Sequence, residues 1–124
     1  MKILLLAMTI IAIGCGDFKQ DNVKPHIPGT YTKRIINEYN SGNDTLIIHQ
    51  TSDNVFRITR RLTISKIREG KQMPIKRIVE VWIAIYNENE QVLNETQQGK
   101  VISFIVEEDK LLVERSEYFK IKNY

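Results

Sequence analysis

Apolar and polar residues alternate along most of the chain beyond Gly29, and alternation is the period of a β-strand with one buried face. Val, Ile, Thr, Tyr and Phe fill many of the strand positions, and all five residue types favour strands. Clusters of Asn, Asp, Gly and Ser interrupt the pattern at short intervals and predict turns. Seven strands result, and they span residues 30–39, 45–51, 55–67, 75–86, 91–96, 100–106 and 110–121.

Seven strands joined by short turns predict an all-β domain built as an antiparallel meander. Long strands twist, so a meander of about seven tends to close into a small barrel or half-barrel. The helical alternative is strongest in the fourth run, yet Val79, Val81 and Ile83 alternate there, and β-branched residues are weak helix formers. A short helix within residues 88–96 stays open as an alternative.

The third and fourth runs allow a prediction of register, because residues directly opposite in an antiparallel pair share a face. Matching apolar residues to one another pairs Leu62 with Val79, Ile58 with Ile83, Phe56 with Ile85, Arg61 with Glu80 and Thr59 with Trp82. This register places Arg60 on the apolar face, where a β-bulge or a nearby open end would let its charge reach water. It places Trp82 on the opposite, polar face.

The last hairpin is predicted in the same way, from a two-residue turn at Glu108 and Asp109. This turn pairs Val106 with Leu111, Phe104 with Val113 and Ile102 with Arg115. Arg60 and Arg115 would then both lie at the ends of apolar faces.

The opening of the chain has a different pattern. Lys2 precedes an apolar run, Ile3–Ile13, which is shorter than the roughly 20 residues needed to span a bilayer. A positive start and a run of this length are typical of a secretory signal peptide. A buried N-terminal strand or helix is the alternative, but such an element rarely ends in Gly-Cys-Gly before a polar, proline-containing stretch.

The sequence AIGC, Ala12–Cys15, resembles the lipobox of bacterial lipoproteins, with Ala12 and Ile13 in place of the commonest residues. The resemblance implies a signal peptide over residues 1–14, a diacylglycerol on the Cys15 thiol, and export to the cell envelope with a lipid anchor in the outer membrane. A cysteine thiolate is nucleophilic enough to carry such a lipid, and two or more acyl chains anchor stably. Asp17 and Asp21 resemble in part the acidic residues of surface-exposed Bacteroidota lipoproteins, and both the periplasmic and the surface face stay open.

A polar stretch with two prolines follows the cysteine and favours a flexible tether over residues 15–28, ahead of a β-domain over residues 29–124. The first residues of that domain, PGTYTK at Pro28–Lys33, resemble the Gly-x-aromatic opening of lipocalin-like barrels. This resemblance implies a barrel or half-barrel rather than a flat sheet.

Charge is distributed unevenly, although the formal net charge is only +3. Residues 57–77 hold eight basic residues and one acidic residue, whereas residues 80–117 hold nine acidic and three basic ones. Salt bridges between neighbouring strands are one interpretation. The other is a basic hairpin that docks on anionic lipid, an anionic glycan or an envelope protein. The candidate contact residues are Arg60, Arg61, Trp82, Tyr86 and Arg115.

No stretch of the sequence indicates catalytic or metal chemistry. His26 lies in the predicted tether, and His49 has no Cys, Asp or Glu at ligand spacing nearby. No serine lies in a nucleophile elbow, and no glycine-rich loop would bind phosphate. We therefore predict no enzyme activity, no metal or cofactor, and no nucleic-acid partner. The predicted function is a membrane-anchored envelope lipoprotein that acts as a binding or structural accessory module. A carrier of a small apolar or anionic ligand and an inhibitor of a secreted hydrolase are the alternatives.

Overall fold

The computed structural model describes residues 21–123, so the predicted signal peptide, Cys15 and residues 15–20 of the predicted tether lie outside the described residues. Nine strands and two short 3₁₀ helices occur in the described range. The strands are β1 (Gly29–Ile36), β2 (Asn40–Ser52), β3 (Val55–Arg68), β4 (Lys71–Gln72), β5 (Lys76–Asn87), β6 (Val92–Glu95), β7 (Val101–Ile105), β8 (Lys110–Val113) and β9 (Ser116–Asn123). The 3₁₀ helices are Lys24–His26 and Val106–Glu108.

Eight of these strands form a closed antiparallel barrel, and only the two-residue strand β4 lies outside the ring, paired with β3. Each barrel strand pairs with its neighbours along the chain, and β1 closes the ring by pairing with both β2 and β9. The predictions of an all-β fold, an antiparallel meander and a small barrel are therefore confirmed. The segment at residues 88–96 contains a turn and β6, and no α-helix.

The barrel has one strand more than the sequence pattern predicts, because the last predicted run divides into β8 and β9. A turn at Glu114 and Arg115 separates them, and Glu114 adopts a positive φ of 56°. Only a few per cent of residues other than glycine adopt this conformation. Neither residue of this turn is glycine or proline, so nothing in the local sequence marks the turn.

Side chains from all eight barrel strands fill the interior, as expected where one face of every strand is apolar. Ile27, which precedes β1, adds to this core. The buried apolar residues on the strands are Tyr31, Leu46, Ile48, Phe56, Ile58, Trp82, Ala84, Tyr86, Leu93, Ile102, Leu111, Val113 and Tyr118.

The register between β3 and β5 differs by one residue from the predicted one. Ile58 lies opposite Trp82 and Phe56 lies opposite Ala84. Trp82 is only 5% exposed, so its predicted position on a polar, outward face was wrong. β5 is apolar on both faces, and the inward register buries Trp82 and Tyr86, the side chains with the largest area to remove from water.

The register between β7 and β8 differs from the predicted one by two residues, so the same side chains still face inward. Phe104 lies opposite Leu111 and Ile102 lies opposite Val113. The connection is longer than two residues, because a 3₁₀ turn precedes Asp109, which adopts a left-handed conformation that aspartate tolerates better than most residues. Arg115 was predicted to face Ile102. In the structure it lies exposed in the turn between β8 and β9.

The segment just before β1 packs on one end of the barrel. Asp21 accepts hydrogen bonds from the backbone N–H groups of Val23 and Lys24 and from the Tyr86 hydroxyl, at 2.8–3.0 Å. Ile27 is fully buried. We call this the anchored end of the barrel, and the opposite end, where β3 and β5 are joined, the far end. A flexible tether stays a prediction for residues 15–20.

Candidate functional site

The predicted contact residue Arg60 belongs to an ion cluster inside the barrel. Its guanidinium contacts the Asp44 carboxylate at 2.8 and 3.0 Å, and Glu80 at 2.8 Å. The Tyr118 hydroxyl donates to Asp44 at 2.8 Å. The side chain of Asp44 is 4% exposed, so this carboxylate has exchanged water for these three donors. The inward position predicted for Arg60 is confirmed. Two carboxylates contact its guanidinium, its side chain stays 23% exposed, and no bulge interrupts β3 at this position.

The two proton-bearing groups of the cluster, Arg60 and Tyr118, both have raised pKa values. Hydrogen bonding to Asp44 raises the pKa of Arg60 above its usual range, and this effect outweighs burial, which acts in the opposite direction. Burial and the hydrogen bond to Asp44 raise the pKa of Tyr118. A charged arginine, a protonated tyrosine and their carboxylate partners satisfy one another. The arrangement therefore supports a structural role rather than acid–base chemistry.

The two predicted aromatic contacts, Trp82 and Tyr86, both lie in the core and do not form an exposed binding surface. The Trp82 ring lies 5.7 Å from the Arg60 guanidinium and 4.5 Å from the Lys100 ammonium, within cation–π range. Burial, followed by the hydrogen bond to Asp21, raises the pKa of Tyr86. The predicted site therefore separates into an internal group, with Arg60, and an external group, with Arg61.

Arg61 lies on the outside of the barrel, where β3 and β5 together present an unusual surface. The directly opposite residue is Val79, not Glu80 as predicted, because the register has shifted by one. Glu80 turns inward to Arg60 instead. We call this surface the outer β3–β5 face, and its residues are Arg57, Thr59, Arg61, Thr63, Arg77, Val79, Val81, Ile83 and Ile85.

Four branched apolar side chains of β5 form a stripe along this face. Val79 is 65% exposed and Val81 48%, and Ile83 and Ile85 continue the stripe. Exposed apolar residues scattered singly are ordinary, but a contiguous apolar patch on a protein surface marks an interaction site. Val101 on β7, across β6 from Ile85, is exposed as well.

The charge on the outer β3–β5 face is of one sign. Arg57, Arg61 and Arg77 are exposed there, and within residues 21–123 no salt bridge joins them to a carboxylate. The outward positions of β2, β3 and β5 carry no Asp or Glu. Of the two interpretations of the uneven charge, exchange of salt bridges between strands therefore does not apply to this face.

A second basic feature lies at the far end, beside the connection between β3 and β5. The Ser65 hydroxyl donates to the Met73 carbonyl and holds this connection against β3. A surface cavity of about 310 Å³ opens there. Its walls are partly apolar and partly cationic, and they are formed by Ile64, Lys66, Arg68, Met73, Pro74, Ile75 and Lys76.

The remaining candidate residues do not join these surfaces. Arg115 borders a different surface pocket, with Lys33 and Phe119. His26 lies 3.5 Å from Asp109 at the anchored end, and His49 is exposed on β2. In the part of the chain that the structure describes, no group of three or more His, Cys, Asp or Glu side chains is placed to hold a metal ion. Within the same range, no helix has the length and apolar character required to cross a bilayer.

The partners that the sequence did not identify are Asp44 and Tyr118. Asp44 is the one charged residue on the inward face of β2. The same face carries Leu46 and Ile48. An isolated carboxylate in such a position requires a cation opposite, and Arg60, on the neighbouring strand, was the only inward arginine predicted there. The predicted second strand begins at residue 45 and leaves Asp44 in a turn, so only the longer β2 of the structure, paired with β3, brings the two together.

Comparisons of the chain with protein-family models, with curated proteins and with solved structures found no match. The function of this protein is therefore inferred from its own residues.

Proposed function

We propose that this protein is an exported, lipid-anchored module of the cell envelope that binds another envelope component through its outer β3–β5 face. One observation carries the proposal: an exposed apolar stripe lies beside three arginines that no carboxylate on that face neutralises. Apolar side chains supply the binding free energy of such a surface, and the arginines supply orientation and selectivity for an anionic partner.

The packed interior supports a partner on the outside rather than a ligand inside. A carrier needs interior space, but core side chains and the cluster of Asp44 and Arg60 occupy the inside of this barrel. The cavity at the far end is a surface feature outside this core. An inhibitor of a secreted hydrolase would use the same outer face, and identification of the partner distinguishes the two cases.

The lipid anchor rests on the lipobox resemblance at Cys15, and the geometry of the barrel is compatible with it. Asp21 is held at the anchored end by Tyr86. Cys15 and Asp21 are six positions apart in the sequence, so the chain between them spans no more than about 22 Å. A lipid on Cys15 would therefore hold the anchored end near the membrane and leave the far end directed away from it.

Two experiments test the two parts of the proposal. Metabolic labelling with a tagged fatty acid, compared between wild type and Cys15→Ala, tests the anchor, and protease shaving of intact cells then distinguishes the periplasmic from the surface face. A photo-crosslinking amino acid in place of Val81, on the outer face, tests the binding surface. Glu117, exposed on β9 at the opposite side of the barrel, is the matched control position.

We expect a label that depends on Cys15 and a defined crosslinked band from position 81 that position 117 does not give. A label that persists in Cys15→Ala would contradict the anchor. Equal crosslinking from the two positions, or none from position 81, would contradict the proposed binding surface.

A further inference from the structure

One edge of β5 has no neighbouring strand over residues 76–82, as far as residues 21–123 are concerned. β3 pairs with β5 from Lys76 to Ile85, whereas β6 pairs with it only from Ala84 to Asn87. A hydrogen bond from the Thr96 N–H to the Ile83 carbonyl, at 2.9 Å, extends the contact by one residue. Beyond that point β5 continues toward the far end with one side open.

The direction of the backbone groups follows from the two sides of β5. In an antiparallel ladder, the N–H and C=O of one residue point to the same neighbouring strand, and successive residues alternate. The Tyr86 N–H donates to Asn54 on the β3 side, at 2.7 Å, whereas the Ile83 carbonyl accepts on the β6 side. Even-numbered residues of β5 therefore bond toward β3. The residues whose backbone groups point to the open edge are Arg77, Val79 and Val81.

This edge lacks several of the features that protect edge strands. Proteins commonly block an open edge with a proline, a bulge or inward-pointing charge. Residues 76–82 contain no proline, the register with β3 is uninterrupted over this range, and the one inward-pointing carboxylate, Glu80, is paired with Arg60. Val79 and Val81 present exposed β-branched side chains directly beside the open backbone groups. The edge is therefore a template on which another extended chain can pair.

We propose that this edge accepts an extended, acidic polypeptide segment of the partner, which adds to the sheet as a strand beside β5. The inference rests on the proposed function and names the chemistry of its partner. The backbone of the added segment would pair with Arg77, Val79 and Val81. Its outward-facing positions would carry apolar side chains, which widen the stripe on the outer face, and carboxylates, which lie near Arg61 and Arg77.

A polypeptide satisfies this edge better than a lipid surface does. Backbone N–H and C=O groups that enter hydrocarbon without partners are strongly unfavourable, whereas an added strand supplies both a donor and an acceptor. A second copy of this chain would supply them too, but it would bring the same arginines to the interface, where like charges repel. The single sign of charge on the face thus favours an acidic segment of another protein.

The decisive experiment removes backbone hydrogen bonds without removing the surface. The probe, called the Glu-Val peptide, is a short, capped, fluorescent strand that carries Val and Glu in turn at every second residue, with Thr between them, so that Val and Glu share one face. Its binding to the full chain in detergent is followed by fluorescence anisotropy. Two matched peptides replace every Glu by Lys, or carry N-methyl groups on alternate residues of the strand. Val79→Pro removes an N–H that points to the open edge and leaves the ladder to β3 intact, and Val79→Ala removes the side chain alone.

We expect the Glu-Val peptide to bind, and Val79→Pro to weaken it about tenfold more than Val79→Ala does, because one edge hydrogen bond and the room for a strand are both lost. The Lys peptide and the N-methylated peptide should each bind about tenfold more weakly than the Glu-Val peptide. Amide hydrogen exchange at Arg77, Val79 and Val81 should slow when the Glu-Val peptide is bound. The N-methylated peptide is tested on the unchanged protein, so a variant that fails to fold does not decide the result.

Several outcomes would overturn strand addition while the crosslinking test of the outer face stands separately. Equal binding of the N-methylated peptide, or unchanged exchange at the three edge amides, would show that the backbone edge is not used. Equal binding of the Lys peptide would overturn the acidic character of the segment. Binding to anionic phospholipid vesicles that displaces the peptide would assign the face to a membrane. A dimer of the full chain that Val79→Pro abolishes would assign it to a second copy.

Discussion

Arg60 and Arg61 are adjacent in the sequence, yet their side chains lie on opposite faces of the barrel wall. Arg60 points inward, where its side chain is 23% exposed and its guanidinium is held by Asp44 and Glu80. Arg61 points outward, is exposed, and faces Val79 across the strand pair. Strand geometry alone separates them, because successive side chains lie on opposite faces of a sheet. An arginine in a strand therefore indicates a binding surface only after its face is known.

The same alternation divides the apolar residues of β5. Trp82 and Ala84 contribute to the core, whereas Val81 and Ile83 remain in contact with water. Both sets are strongly apolar, so hydrophobicity does not distinguish a core position from a binding position in this strand. The difference should appear in stability: substitution of an inward residue should unfold the barrel, and substitution of its outward neighbour should not.

The largest effect is expected for Trp82→Ala compared with Val81→Ala. Removal of a buried tryptophan should lower the free energy of unfolding by about 4 kcal/mol, because the cavity adds to the lost burial. Val81→Ala, at a position that is about half exposed, should cost less than about 0.5 kcal/mol. Urea denaturation followed by circular dichroism measures both. Similar losses in the two variants would contradict the register described between β3 and β5.

The next effect is expected for Asp44→Ala compared with Arg61→Ala. Loss of Asp44 leaves Arg60 and the Tyr118 hydroxyl without their buried partner, which should cost about 3 kcal/mol. Arg61→Ala removes a charge with no ion pair among the described residues, so the unfolding midpoint should hardly change. Retention of wild-type stability in Asp44→Ala would show that Glu80 alone satisfies Arg60.

A smaller loss of stability is expected for Gly42→Ala, because β2 and β3 approach closely at Gly42. Asn43→Ala, at the neighbouring outward position, is the control. A Cβ on Gly42 would lie 1.9 Å from the Thr63 carbonyl oxygen and 2.9 Å from the Ile64 Cα, both of them backbone atoms that cannot simply rotate away. Displacement of the strands should cost about 2 kcal/mol. Thermal unfolding of the two variants measures the difference, and equal midpoints would mean that the strands move apart freely.

Some features of this fold were predictable from sequence because they depend on local patterns. Alternation and turn composition gave the strands and the meander. The register between β3 and β5 was not predictable from pairing apolar residues, because β5 is apolar on both faces and either register matches. The turn at Glu114 was missed because no glycine or proline marks it. The open edge of β5 depends on where β6 ends, which is a property of the assembled sheet.

The candidate site was predictable only in part, because the face on which a residue lies depends on strand register and pairing. Arg61 was assigned to a contact surface and lies on the outer β3–β5 face. Trp82 and Tyr86 were assigned to the same surface because the predicted register turned them outward. Asp44 was missed, because the predicted second strand begins at residue 45, and only the pairing of the longer β2 with β3 brings Asp44 to Arg60.

The smallest loss of stability is expected on β6, where the inward residue is Glu95 and its outward neighbour is Asn94. Burial alone would raise the pKa of Glu95, but backbone N–H donors from Gln97 and Gln98, at 2.6 and 2.8 Å, outweigh it, so its pKa lies below the ordinary value of 4.5. A carboxylate whose pKa is lower in the folded state stabilises the fold fully above the unfolded-state pKa. That contribution disappears as the pH falls through the folded-state pKa.

Glu95→Gln should therefore be less stable than wild type by about 1 kcal/mol at neutral pH, because a charged acceptor is replaced by a neutral one. The difference should shrink as the pH is lowered below the ordinary value of 4.5, since wild-type Glu95 then takes up a proton and loses its charge. Urea denaturation across this range measures the difference at each pH, with Asn94→Ala as the exposed control. A constant difference would mean that Glu95 acts through its shape rather than its charge. The inward face of β6 would then depend on packing, as the inward face of β5 does at Trp82.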